Sequence, residues 1–355
     1  MKLFFLLTAG AICLASILAS AAEPAGVLTR EFIYETAPFP SCHASTLVET
    51  SGGLVAAWFG GTQEGARDVG IWVSRLTGER WSAPAEVATW AEPDGTPLPT
   101  WNPVLFQPKG GPLMLFYKAG PSPQKWWGLL RTSMDQGQTW SEPTRLPAGI
   151  LGPIKNKPVQ LPDGTIIAAT STETAAKPSE WRVHFERSAD GGKTWVVTKP
   201  KGDGEPPLNA IQPSILTLAP GKLLALGRTR DGVLFQTTST DAGQTWDAMS
   251  RTTLPNPNSG TDAVTMRDGR HVLIYNHTKK GRSPLNVAVS TDGETWQAAL
   301  VLESEPGEYS YPAVIQAEDG LLHFTYTWNR KKVRHVVVDP ARLQLRPLVD
   351  GAWPQ

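Results

Sequence analysis

The chain has 355 residues, with 33 Lys and Arg against 33 Asp and Glu, and two cysteines. The balanced charge, without a basic run or an Arg and aromatic stripe, excludes a nucleic-acid reader. No Cys or His cluster has metal-site spacing, so neither a metal nor a cofactor is expected.

Lys2 is followed by an apolar run from Leu3 to Leu18, and Ala19-Ser20-Ala21 offers a small-residue cleavage site. Residues 1–22 therefore read as a secretory signal peptide and not as a membrane span. The reading predicts a mature chain in a periplasm or outside the cell, with no membrane span and no inferred obligate protein partner. That chain keeps only Cys42, which allows no internal disulfide.

From residue 43 onward, hairpins recur. PVQLPDGTIIAAT, AVTMRDGRHVLIYN and AVIQAEDGLLHFTYTW each place two apolar, alternating strands around a Gly-containing turn. Between hairpins stands a repeated phrase, S-x-D-x-G-x-T-W: Ser133–Trp140, Ser188–Trp195, Ser239–Trp246 and a shorter Ser290–Trp296. A degenerate copy lies at Ser74–Trp81. The closing tryptophans fall 50 to 59 residues apart, which is one supersecondary unit per repeat. In each phrase Asp can bond back to turn amides, Gly supplies positive φ, and Trp is expected to pack on its own blade. The phrases have too few oxygen ligands for calcium loops.

These repeats predict an all-β, six-bladed β-propeller over residues 23–355. The blades fall at roughly 43–95, 99–150, 155–205, 209–255, 260–300 and 309–349. The strand-like Arg30–Tyr34 is expected to complete the last blade near Val333–Val338 and so hide the sheet edges. The long segments 85–100 and 141–157 leave room for an irregular seventh blade.

Residues entering each inner strand converge at one end of such a ring. Counting back from the hairpin turns, these are His43, Asn102, Lys157, Gln212, Asp262 and Tyr311, each directly before Pro or Ala. Ends of second strands add Glu64, Arg67, Asp68, Lys118, Glu173, Arg228, Arg230, His277, Trp328 and Arg330, with Arg282 just beyond. A basic cleft with a few carboxylates suits an anionic ligand. Arginine donates in a planar fork to carboxylate, and Trp and Tyr supply faces for sugar rings. The pattern points to an acidic glycan.

The four phrases resemble the Asp boxes of secreted sialidases. FPSCHASTLVE (39–49), AWFGGTQEGARDVGIWVSR (57–75), EYSYPAVIQ (308–316) and TYTWNRKKVRHVVVDP (325–340) resemble stretches of bacterial BNR-repeat, sialidase-like proteins. The resemblance implies an exo-acting glycosidase. It implies substrate-carboxylate contacts at Arg228 and Arg282, an attacking tyrosine at Tyr309 or Tyr311, and an acid at Asp68 or Glu64. It also expects an arginine where His43 stands and a glutamate where Gln212 stands. Asp262 is then a candidate to assist the tyrosine. Arg67, Lys157, Gln212, His277, Trp328 and Arg330 are candidate substrate contacts. Two other readings stay open: a uronate lyase with His43 or a tyrosine as base, and a glycan-binding propeller without turnover.

Overall fold

A computed structural model describes residues 23–202 and 208–354, so the expected leader lies outside the described residues. Six antiparallel sheets follow one another along the chain, each with four or five strands. Blade one is Ser41–Thr50, Gly53–Gly61, Gly70–Thr77 and the outer pieces Arg80–Trp81 and Ala85–Ala88. Blade two is Thr100–Phe106, Leu113–Ala119, Trp127–Ser133 and Thr144–Arg145. Blade three is Val159–Gln160, Ile166–Glu173, Trp181–Ser188 and Val196–Thr198. Blade four is Ala210–Ala219, Lys222–Thr229, Val233–Ser239 and Ser250–Pro255. Blade five is Asp262–Thr265, His271–Tyr275, Leu285–Ser290 and Trp296–Glu303, with Arg346–Pro347 on its edge. Blade six is Tyr309–Gln316, Leu322–Trp328 and Lys332–Val338.

The fourth strand of blade six comes from the other end of the chain. Val27–Phe32 pairs antiparallel with Lys332–Val338, Val27 opposite Val338 and Phe32 opposite Arg334. The edge that would be left open is thereby paired. Segment 85–100 adds no blade: Ala85–Ala88 joins blade one, and Trp90–Ala91 pairs with Pro97–Leu98 as a short ribbon. Among the described residues the ring has six blades.

Local chemistry accounts for the turns. In blades three, five and six, Asp163, Asp268 and Asp319 accept the amide two residues on, at 2.8–3.0 Å. The glycine between them takes φ of 87–88°, a region that a Cβ disfavours. The S-x-D-x-G-x-T-W phrases form the turns after the third strands. In the first of them Asp135 accepts from the Ser133 hydroxyl at 2.8 Å, the Thr139 amide at 2.8 Å and the Thr139 hydroxyl at 2.5 Å. The Thr139 hydroxyl and amide pull the Asp135 carboxyl down to about 2.

The phrase tryptophans do not pack only on their own blades. Trp246 of blade four stacks on Phe185 of blade three with ring centroids 3.7 Å apart. Trp195 of blade three meets Phe116 of blade two edge-on at 6.3 Å. Each ties its blade to the preceding one, a long-range contact that the local pattern does not encode. Buried Trp58, Phe59, Phe116, Tyr117, Phe185, Phe235, Tyr275 and Phe324 fill the blade interfaces. Each such ring contributes about 2–3 kcal/mol through burial.

First strands run away from the site end and second strands return to it, so the phrases sit on the opposite face. That leaves the ends of the inner strands free for chemistry.

Candidate active site

The inner strands of blades one, two, four and six are each interrupted by a β-bulge. At the bulge one residue takes positive φ: Ala44 at 58°, Asn102 at 35°, Gln212 at 57° and Tyr311 at 49°. Three of these precede proline, which gives no amide to the ladder. A bulge re-aims side chains, and here it carries Gln212 and Tyr311 into the ring mouth. The alignment of entry residues is thus correct for Asn102, Gln212 and Tyr311. Blade one departs from it: Ala44 holds the bulge position, and His43 stands one residue earlier, paired with Phe59.

Tyr311 is the centre of the cluster. Its hydroxyl oxygen accepts from Arg228 Nη2 at 3.0 Å and from Gln212 Nε2 at 3.2 Å. The His43 ring lies 4.1 Å from the Tyr311 ring, and His43 Nδ1 is 3.1 Å from Thr327 Oγ1. Arg228, Lys155 and Arg282 stand 5.4, 5.8 and 5.9 Å from the centroid of the same ring. Arg228 is further fixed by Asn258 O at 3.0 Å. Among the described residues no carboxylate bonds to the Tyr311 hydroxyl.

Lys155 was not foreseen. Burial pushes its ammonium down to about 7, opposed by Asp262. Its Nζ bonds to Asn156 Oδ1 at 2.8 Å, to Thr261 O at 2.9 Å and to Pro312 O. Three acceptors match the three protons of an ammonium group, so the Lys155 amine is held in place beneath Tyr311. Gly260 makes this packing possible. A Cβ there would meet Lys155 Cε and Tyr311 Cδ2 at 3.3 Å and Gln212 Oε1 at 3.5 Å.

A chain of charges continues to the rim. Glu308 Oε1 accepts from Arg330 Nε at 2.6 Å and lies 3.5 Å from Arg282 Nη1. Arg330 Nη1 reaches Glu64 Oε2. Three guanidinium groups (Arg228, Arg282 and Arg330) thus face two carboxylates (Glu64 and Glu308), an excess of positive charge to which Lys155 adds when it is protonated. Burial, then Arg330, Arg282, Arg228 and Lys155, hold the His43 pKa well below its usual value. His43 is therefore neutral at pH 7.

The other expected residues are placed elsewhere. Asp262 is not free to assist a tyrosine. It accepts from Lys157 Nζ at 2.8 Å, the Ser214 hydroxyl at 3.0 Å, and the amides of Ala263 and Val314 at 2.9 and 2.8 Å. Asp262 and Lys157 satisfy one another and tie blades together. Asp68 is exposed and accepts from the Thr62 amide and hydroxyl at 2.9 and 2.5 Å; the Thr62 hydroxyl holds its carboxyl below the usual range. Arg67 is exposed on the same loop and makes no side-chain bond among the described residues. Tyr309 packs in the core of blades five and six, and the bulge between Ser310 and Ala313 turns Tyr311, two residues on, away from it. His277 bonds with Tyr275 and Gly351 O and lies 5.1 Å from the Trp353 ring, toward the C-terminal segment. Trp328 packs against Phe32 at 5.4 Å, in the closing sheet. Arg230 stands 4.1 Å over Trp181, and Glu173 accepts from Gln124 at 3.3 Å. Lys118 is buried against Pro153 O.

A closed ring of six sheets with one cationic, tyrosine-centred mouth defines a six-bladed β-propeller. The family model described as a BNR repeat-like domain matches residues 52–324. The chain belongs to that family. No curated protein matches it. Among solved structures it is similar to a Hadza microbial sialidase, with 20% identity, a TM-score of 0.73, and coverage of 86% of this chain and 66% of that one. It is similar to a Dyadobacter fermentans protein of unknown function, at 17% identity and TM-score 0.73, covering 91% and 99% of the two chains. An intramolecular trans-sialidase from Ruminococcus gnavus aligns at 13% identity and TM-score 0.71, covering 89% and 98%. At these identities the likeness is one of fold.

Proposed function

We propose that the protein is an exo-acting glycosidase of the sialidase type, which hydrolyses a terminal carboxylate-bearing sugar from extracellular glycans. The observation that carries this reading is the Tyr311 hydroxyl, held by Arg228 and Gln212 inside a cluster of cations. The arginines suit the sugar carboxylate. Tyr311 suits attack on, or stabilisation of, the anomeric carbon. Glu64 at the rim, or Asp68 on the same loop, is the carboxyl for the leaving oxygen. The sialidases among the similar folds support the same class. The apolar leader supports export to the periplasm or the exterior.

The lyase reading with His43 as base needs the imidazole to take up a proton, and Arg330, Arg282, Arg228 and Lys155 oppose that. An imidazole with so low a pKa is a weak base at neutral pH.

The test is incubation with sialylated and uronate-containing glycans, read by product mass and ultraviolet absorbance. Free acidic sugar carrying one added water is expected. An unsaturated uronate would move the assignment to elimination. Binding without turnover across the panel would leave a glycan-binding propeller.

A further inference from the structure

We infer that Arg330 completes the anion seat in place of the arginine expected at His43, and that Glu64 occupies this seat until a carboxylated sugar displaces it. The inference rests on the reading that the site takes such a sugar.

Arg330 is delivered by an unusual turn. Asn329 and Arg330 take φ of 51° and 58° in succession, a conformation that needs outside support. That support is present. The Asn329 amide donates to Glu308 O at 2.7 Å, and Asn329 Oδ1 accepts the Glu308 amide at 2.8 Å. Arg330 O accepts the Cys42 amide at 2.8 Å, one residue before His43. The turn of blade six is therefore pinned to the strand that carries His43. Of the four cations acting on His43, Arg330 acts most strongly. An arginine at position 43 would meet this guanidinium with like charge. A neutral imidazole does not.

Glu308 supports the seat from behind. One of its oxygens serves both Arg330 Nε and Arg282 Nη1, so the two guanidinium groups are oriented together. Their side chains are 30% and 26% exposed and front the solvent. On its open side, Arg330 Nη1 holds Glu64. Glu64 is 40% exposed and sits on the turn between Gly61 and Val69. Arg330 is its one side-chain partner among the described residues. Glu64 thus presents to the arginine the same group that the sugar would bring. A ligand carboxylate that also meets Arg282 and Arg228 exchanges one ion pair for three contacts. Displaced Glu64 remains at the rim, beside the leaving group.

The experiment uses the full mature chain, Glu64→Gln and Arg330→Gln. Calorimetry measures binding of N-acetylneuraminate and galacturonate and of their methyl esters. Thermal unfolding in sulfate against chloride at equal ionic strength probes the seat without any sugar. Glu64→Gln is expected to bind one of the acids roughly 2- to 5-fold tighter, the weight of an exposed ion pair. Arg330→Gln is expected to bind it at least about tenfold more weakly, as on loss of a partly desolvated charge pair, and to lose the sulfate response. Neither variant should change binding of the esters. Acid binding unchanged in Arg330→Gln, or weakened in Glu64→Gln, overturns the inference and leaves the functional reading standing. A sulfate response that needs Arg330, with no acidic sugar bound, upholds the seat and removes the sugar reading. Absence of both overturns the inference.

Discussion

Arg228 Nη2 donates to the Tyr311 hydroxyl across 3.0 Å and thereby joins blade four to blade six at the ring mouth. The two residues lie 83 positions apart. Neither reaches the other unless the ring closes and the Gln212 and Tyr311 bulges form. The fold thus sets the geometry of its most reactive hydroxyl.

Arg228→Ala removes both the donor to Tyr311 and a cation from the seat. Binding of the acidic sugar is expected to weaken by about 2–5 kcal/mol. Calorimetry with wild type and variant checks this, and equal affinities would exclude Arg228 from carboxylate recognition.

His43→Ala takes away the ring packed on Tyr311 at 4.1 Å. Tyr311 is then free to shift, and a misplacement near 1 Å costs about 10²-fold in rate. Steady-state turnover should fall on that order while circular dichroism keeps the β-sheet signal. Near-normal turnover would make His43 a filler of the channel wall.

Gly260→Ala places a methyl group 3.3 Å from both Lys155 and Tyr311. Overpacking of this kind costs about 1–3 kcal/mol. Denaturant titration should show the loss, and turnover should drop with it. A variant as stable and active as wild type would mean that the cluster relaxes freely.

A buried relay at the ring closure gives a pH dependence. His323 Nδ1 is 3.0 Å from His335 Nε2, and His335 Nδ1 is 2.9 Å from Glu31 Oε1 on the closing strand. Burial, then the neighbouring His335, push His323 down to about 4, opposed by Asp319. Between about 6.5 and 4 the unfolded chain takes a proton at this position that the folded chain does not. Stability therefore falls as pH drops through that window, by about 1.4 kcal/mol per pH unit for this group. His43 acts with the same sign. Urea midpoints at pH 7, 5.5 and 4.5 should converge for wild type and His323→Gln at the acid end. Parallel curves would contradict the assignment.

The repeats made the architecture legible, because each Asp-box turn recurs at one place in its blade. The closing strand was legible as the strand-like segment Arg30–Tyr34 ahead of blade one, and the structure moves its bounds to Val27–Phe32. Tyr311, Gln212 and Arg228 could be found because strand ends and the X-Pro step mark the ring mouth. Lys155, Gly260 and Glu308 escaped notice, since their roles depend on contacts between blades. The available signal for Glu308 was its place three residues before Tyr311, at the entry to the last inner strand. Asp262 and Lys157 have the right chemistry for a site, but each is consumed by the other. Tyr309 and Tyr311 look equivalent in the sequence; the bulge at Tyr311 separates them.

The central claim is that Tyr311 acts on the sugar while the cations hold its carboxylate. Turnover and binding of the same acidic glycoside by wild type and Tyr311→Phe test it most directly. The account predicts that kcat falls by about 10²-fold or more, with affinity for the acidic sugar changed less than about threefold. Retention of wild-type kcat in Tyr311→Phe would contradict it.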